Sequence, residues 1–146
     1  MPNRPVISKA ILDTDILSEI GKGIDKTVLQ NAAAYIVEHG QLSFTSVSVF
    51  EVLFGFHAKS ADQQAQRFST LIAPHEEITP TAHNYRLAAQ ICATLQRTGT
   101  PIGTLDPLIA ACAIGRGLPL VTGNTRHYSF IQSAGFPLQL LNWRMP

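Results

Sequence analysis

A parallel α/β sheet covered on both faces by helices is the fold class this sequence predicts, and three features predict it. Short apolar runs recur at residues 10–12, 42–45, 119–122 and 138–141; segments of helical periodicity lie between them; glycines close those segments. Strands alternating with helices pair in parallel through right-handed crossovers, and their ligand chemistry gathers at the carboxyl ends of the strands.

Ala10-Ile11-Leu12 reads as the first strand, ended by Asp13-Thr14-Asp15 as a polar turn. Val28, Leu29, Ala32, Tyr35 and Ile36 repeat at helical spacing, and Gly40 supplies a C-terminal stop. Leu42 to Thr45 is the second strand. From Ser48, the residues Val49, Val52, Leu53 and Phe56 trace a helix face with Glu51 near its beginning. Thr79-Pro80 combines a capping hydroxyl with a proline at the first helical position, ahead of Tyr85, Ala88, Ile91, Cys92 and Leu95, with Gly99 beyond. Leu108 to Ile114 is an apolar helix after Asp106-Pro107, with stops at Gly115 and Gly117. Pro119 to Thr122 and Leu138 to Leu141 complete the strands.

With 146 residues and 45% hydrophobic content, residues 1–146 suit one domain around one core. Charged residues make up only 14%, against about 25% in an average soluble chain, which is compatible with apolar surface covered by a partner and equally with an ordinary core. A net charge of +1 excludes a strongly basic nucleic-acid-coating protein and leaves RNA neither supported nor excluded. Cys92 and Cys112 are too few for a disulfide framework and fit a reducing cytoplasm. Residues 1–10 contain two prolines and no long apolar run, unlike a signal peptide or a membrane anchor, and no other stretch approaches spanning length.

Three acids, Asp13, Glu51 and Asp106, each fall where an apolar segment gives way to a helix start. Each has a structural reading by itself. Asp13 or Asp15 can cap a helix or close an Asx-turn, Ser48-Val-Phe-Glu51 matches a capping box, and Asp106-Pro107 is an N-cap followed by proline. Jointly they point elsewhere, because an α/β sheet puts all three helix starts on one edge. Two like charges about 4 Å apart cost roughly 4 kcal/mol at an effective dielectric near 20, so such a trio calls for a divalent cation with oxygen ligands, Mg2+ or Mn2+. His39, His57, His75, His83 and His127 show no paired metal-ligand spacing, and none is assigned to a metal. The chain has no Walker loop and no G-x-S-x-G element. Trp143 reads as a packing anchor.

Four segments together resemble a PIN-domain ribonuclease, specifically the VapC-type toxins of type II toxin–antitoxin pairs: residues 11–19 (ILDTDILSE), 45–55 (TSVSVFEVLFG), 103–111 (GTLDPLIAA) and 120–128 (LVTGNTRHY). The likeness spans nearly the whole chain, and Leu141-Asn142-Trp143 adds to it. It implies a PIN-like three-layer α/β/α sandwich with four or five parallel strands, and magnesium-dependent RNA hydrolysis leaving a 3′-hydroxyl and a 5′-phosphate. By matching position Asp13, Glu51 and Asp106 are the family acids; Asp13 and Asp106 are then the main metal ligands, with Glu51 binding directly or through water. Asn124 matches the polar residue after the fourth strand, and Thr14 and Thr122 support the acid pocket or the phosphate. The resemblance also implies a small antitoxin, whose arginine could pair with the acids, and a homodimer in the cytoplasm. Asp15 stands where the family commonly has asparagine, and His127 where it often has aspartate, so the likeness carries a first metal further than a second. Arg86, Arg97, Arg116 and Arg126 are the cations available to phosphates.

Two other readings compete. Asp13-Thr14-Asp15 after an apolar strand also resembles the nucleophile motif of haloacid-dehalogenase-like phosphatases, which need a downstream lysine that the second half of this chain lacks. The chain could also be an inactive PIN fold kept as a module that binds RNA or antitoxin.

Overall fold

The structure is a computed structural model and describes residues 6–146. The reading of residues 1–10 as neither leader nor anchor falls partly on residues 1–5, outside that range. Twelve elements follow one another: β1 (Ile11–Leu12), α1 (Thr14–Lys22), α2 (Lys26–His39), β2 (Ser43–Thr45), α3 (Ser46–Ala58), α4 (Asp62–Ile72), β3 (Glu76–Ile78), α5 (Ala82–Arg97), α6 (Leu105–Arg116), β4 (Leu120–Val121), α7 (Thr125–Ser133) and β5 (Leu140–Leu141). The strands form one fully parallel sheet in the order β3-β2-β1-β4-β5. The chain winds outward from β1 to β3, then returns to place β4 on the other side of β1, so the direction of winding reverses between β1 and β4.

Neighbouring residues of a strand point to opposite faces, and the core divides accordingly. Ile11 and Leu120 face one apolar cluster with Ile91, Ile109, Tyr128 and Ile131 of α5, α6 and α7. Leu12, Phe44 and Val121 face the other, with Ile16, Val28, Tyr35 and Phe68 of α1, α2 and α4. Helices therefore cover both faces, as the alternating pattern predicts. Trp143 is buried in the second cluster, its ring 5.6 Å from that of Tyr35. Among the described residues no helix is long and apolar enough to cross a membrane.

Several boundaries differ from those read in the sequence. Asp13-Thr14-Asp15 is no turn: Asp13 keeps extended backbone at the N-cap, its carbonyl accepts from Leu17 N–H, and α1 begins at Thr14. The helix expected from Ser48 starts two residues earlier, with the Thr45 hydroxyl accepting from Ser48 N–H, so the capping box of Ser48 and Glu51 does not form. Thr104, not Asp106, is the N-cap of α6; Asp106 lies in its first turn. Thr81, not Thr79, caps α5, through a reciprocal box with Asn84. Gly117 closes α6 in the left-handed region (φ 68° and 65° are shared by Gly23 and Gly117), whereas Gly115 lies inside the helix. A fifth strand, β3, and helices α4 and α7 had no counterpart in the sequence reading, whereas α1 begins at the helix start read after Asp13, which is its N-cap.

Candidate active site

β1 and β4 lie side by side, and the residues just past their carboxyl ends meet. Asp13 N–H donates to Val121 carbonyl at 2.8 Å, which carries the β1–β4 pairing to the edge of the sheet. There the Thr122 hydroxyl donates to Asp13 Oδ2 at 2.8 Å and accepts from the backbone N–H of Asn124 at 2.9 Å. From α7, the Tyr128 hydroxyl donates to Asp13 Oδ1 at 2.9 Å. Both oxygens of Asp13 are thus held, and the residue is 4% exposed. Burial above all, and then the charge of Asp15, push its carboxyl up from 3.8 to about 7.

On α3, Glu51 faces α1. The Thr14 hydroxyl donates to Glu51 Oε1 at 2.8 Å and shares a hydrogen bond with the buried Ser48 hydroxyl at 2.9 Å. Burial again raises the Glu51 carboxyl, and the charge of Asp106 adds to it. Asp106 likewise contributes to the shift of Asp13. The Tyr128 phenol is held protonated, first by burial and then by the charges of Asp13, Asp106 and Glu51 together. Asp106 therefore bears on both Asp13 and Glu51, and all three sequence-predicted acids bear on the Tyr128 hydroxyl. They are not yet gathered into a shell: among the described residues no three His, Cys, Asp or Glu side chains surround a point that one ion could occupy. The donor set, carboxylates whose charges oppose one another with hydroxyls at their backs, suits a hard divalent cation.

The other sequence-predicted residues divide by role. Thr14 and Thr122 bond directly to acids, as above. Asn124 is the N-cap of α7 without a side-chain cap hydrogen bond, and it reaches the site through its backbone. Among the arginines, Arg126 is exposed on the first turn of α7. Arg116 ends α6, about 15 Å from Asp106 in its first turn at 1.5 Å per residue, and its charge is felt by Glu76 and Cys112.

Four groups take parts that the sequence did not assign, although it singled out Asp15 and His127. Tyr128 anchors Asp13. Asp15 accepts from the N–H of Gly123 at 2.8 Å and of Ile16 at 2.8 Å, tying α1 to the loop after β4. Arg144 reaches Glu19 at 3.4 Å and Asp25 at 3.7 Å and lies against Gly123, where a Cβ would stand 2.5 Å from Arg144 Nε. His127 places Nδ1 3.5 Å from Asp106 Oδ2. Asp13, buried with both oxygens occupied, is not presented as the nucleophile that a haloacid-dehalogenase-like reading requires.

A parallel sheet with acids past β1 and on α3 and α6 defines a class, and the comparison with known proteins names it. The profile of the PIN domain family matches residues 10–131, so the chain belongs to the PIN domain family. Within it, the chain is similar to proteins called tRNA(fMet)-specific endonuclease VapC. That of Shigella flexneri is 28% identical over 123 residues, spanning 82% of this chain and 89% of the relative. That of Salmonella typhimurium strain LT2 is 30% identical over 95 residues, spanning 62% and 70%. The crystal structure of DNA-bound VapBC from Salmonella typhimurium shares the fold with a TM-score of 0.76 at 23% identity, over 94% of this chain and 99% of that one.

Proposed function

We propose that this chain, a single PIN domain over residues 1–146, is a divalent-metal-dependent endoribonuclease and the toxin of a toxin–antitoxin pair acting in the cytoplasm. The observation that carries the reading is the charge of Asp106, which bears on both Asp13, held past the end of β1, and Glu51 on α3, at the carboxyl edge of the sheet. These acids would hold Mg2+ or Mn2+, which when bound supplies Lewis-acid polarisation of the scissile phosphate and neutralises charge developing on the leaving oxygen. The chain's own groups do the rest. Thr122 and Tyr128 fix both oxygens of Asp13 before substrate arrives. Thr14 occupies one oxygen of Glu51 and leaves the other for ligand or proton, and the raised affinity of that carboxyl for a proton suits it to accept one from the attacking water. Arg126, exposed on the first turn of α7, would steer a phosphate.

The relatives' name supports RNA as substrate and makes tRNA(fMet) the first to test. The VapBC complexes among the structural neighbours support an antitoxin partner, as does an apolar groove of about 220 Å³ between α1, α2 and α4 lined by Leu17, Ile20, Leu29, Ala33, Ile36 and Leu71. A homodimer follows from the family likeness alone.

The test incubates antitoxin-free protein with total RNA and with tRNA(fMet), with Mg2+ or Mn2+ and with a chelator. Wild type should cleave only with metal, leaving 5′-phosphate ends, and Asp13→Asn and Asp106→Asn should lose roughly a hundredfold or more. Full activity in both variants would reject the assignment. Metal-independent RNA binding without cleavage would favour the inactive-module reading.

A further inference from the structure

We infer that His127 is a nitrogen ligand, beside Asp106, for the cation of this site, and that the resulting mixed shell prefers Mn2+ over Mg2+. This rests on the metal centre proposed above and adds a donor to it. α7 begins at Thr125, and its first turn delivers two neighbours to two acids: Tyr128 to Asp13 and His127 to Asp106. The two contacts differ in kind. Tyr128 is at ordinary hydrogen-bond distance. At 3.5 Å, His127 Nδ1 and Asp106 Oδ2 stand outside the usual range of about 2.7 to 3.2 Å for N–H···O. Two donors each about 2.1 Å from one ion, at angles from octahedral to tetrahedral, are about 3.0 to 3.4 Å apart, close to the separation found.

The side chains are also available. Asp13 has both oxygens occupied, whereas the Asp106 carboxylate has no other hydrogen bond among the described residues, and neither has the His127 ring. Their side chains are 22% and 48% exposed, so an ion can reach them from solvent. Other histidines show what an engaged ring looks like here: His39 Nε2 lies 2.7 Å from Ile7 carbonyl, and His75 Nδ1 accepts from Leu42 N–H at 3.0 Å. His57 also meets an aspartate, Asp62 at 3.3 Å, but that is an open surface pair, with Asp62 83% exposed. Asp106 differs because its charge bears on two further acids, Asp13 and Glu51. Imidazole nitrogen is a poorer donor for Mg2+, which keeps oxygen ligands and water, than for Mn2+ and the later first-row ions.

Calorimetric titration of the metal-free full chain with MnCl2 and MgCl2, for wild type, His127→Ala and His127→Asp, tests this without RNA. Circular dichroism first checks that each variant is folded. His127→Ala should weaken Mn2+ binding about tenfold while changing Mg2+ binding less than about threefold, and His127→Asp should move the preference toward Mg2+. Pulsed electron paramagnetic resonance of the Mn2+-loaded wild type should show a nitrogen coupling that His127→Ala lacks. Unchanged Mn2+ affinity in His127→Ala, absence of the nitrogen coupling, or failure of folded wild type to bind Mn2+ would each overturn the inference. The ribonuclease reading fails separately: a chain that binds Mn2+ through His127 yet cleaves no RNA keeps the ligand and loses the activity, and one that cleaves RNA without the coupling does the reverse.

Discussion

Asp13 carries opposed demands. Its carboxyl, raised to about 7 by burial and the charge of Asp15, binds its proton more tightly in the folded chain than in the unfolded one. The stabilisation this brings is complete below pH 3.8 and fades as pH rises through about 7. Its full size is of order 4 kcal/mol, at about 1.4 kcal/mol per tenfold change in proton affinity. In chelator, wild type should therefore lose thermal stability from pH 4 to 8 relative to Asp13→Asn, which carries no charge at that position. Melts of the two proteins across this range isolate the group; parallel curves would contradict the assignment. Tyr128→Phe tests the other side of the same carboxylate. It removes one of two side-chain donors from a buried acid while keeping the ring, so it should cost about 1 to 3 kcal/mol in urea unfolding and lower kcat more than it raises KM.

At the scale of elements, the loop between β4 and α7 is the hinge of the site. Gly123 lies between Arg144 and Asp15, and a Cβ there would stand 2.5 Å from Arg144 Nε and 2.8 Å from Asp15 Oδ2. Gly123→Ala should displace the loop that carries Thr122 and destabilise the chain by about 1 to 3 kcal/mol, read as a lower urea midpoint with reduced cleavage. A midpoint equal to wild type would show that the loop yields freely. The strands that flank this loop were readable because buried parallel strands are short apolar runs. β3 was not, because its first residues are Glu76 and Glu77. Its place on the sheet edge lets the Ser43 hydroxyl and Lys9 satisfy Glu76 and the Ser46 hydroxyl satisfy Glu77. α1 was legible only as a helix start, without its extent, because strand and helix join through one extended residue, Asp13, where turn-forming residue types suggest a pause. The three acids could be singled out because each stands where an apolar segment gives way to a helix start, a local signal. Tyr128, 115 positions from Asp13, and Arg144, 125 from Glu19, could not, since only the fold makes them neighbours.

For the whole molecule, the winding reversal between β1 and β4 stands beside charges that the fold holds against their own repulsion. Neutralising that repulsion should stabilise the chain, so saturating Mn2+ should raise the thermal midpoint at pH 8 and do so much less in Asp106→Asn. The central claim is spatial, that Asp13, Glu51 and Asp106 serve one ion, and an anomalous difference map from Mn2+-soaked crystals of the metal-free chain measures it most directly. The account predicts a peak bounded by the carboxylates of Asp13 and Asp106, with Glu51 in contact directly or through water. An empty cleft at saturating Mn2+, or a peak away from these three side chains, would contradict it.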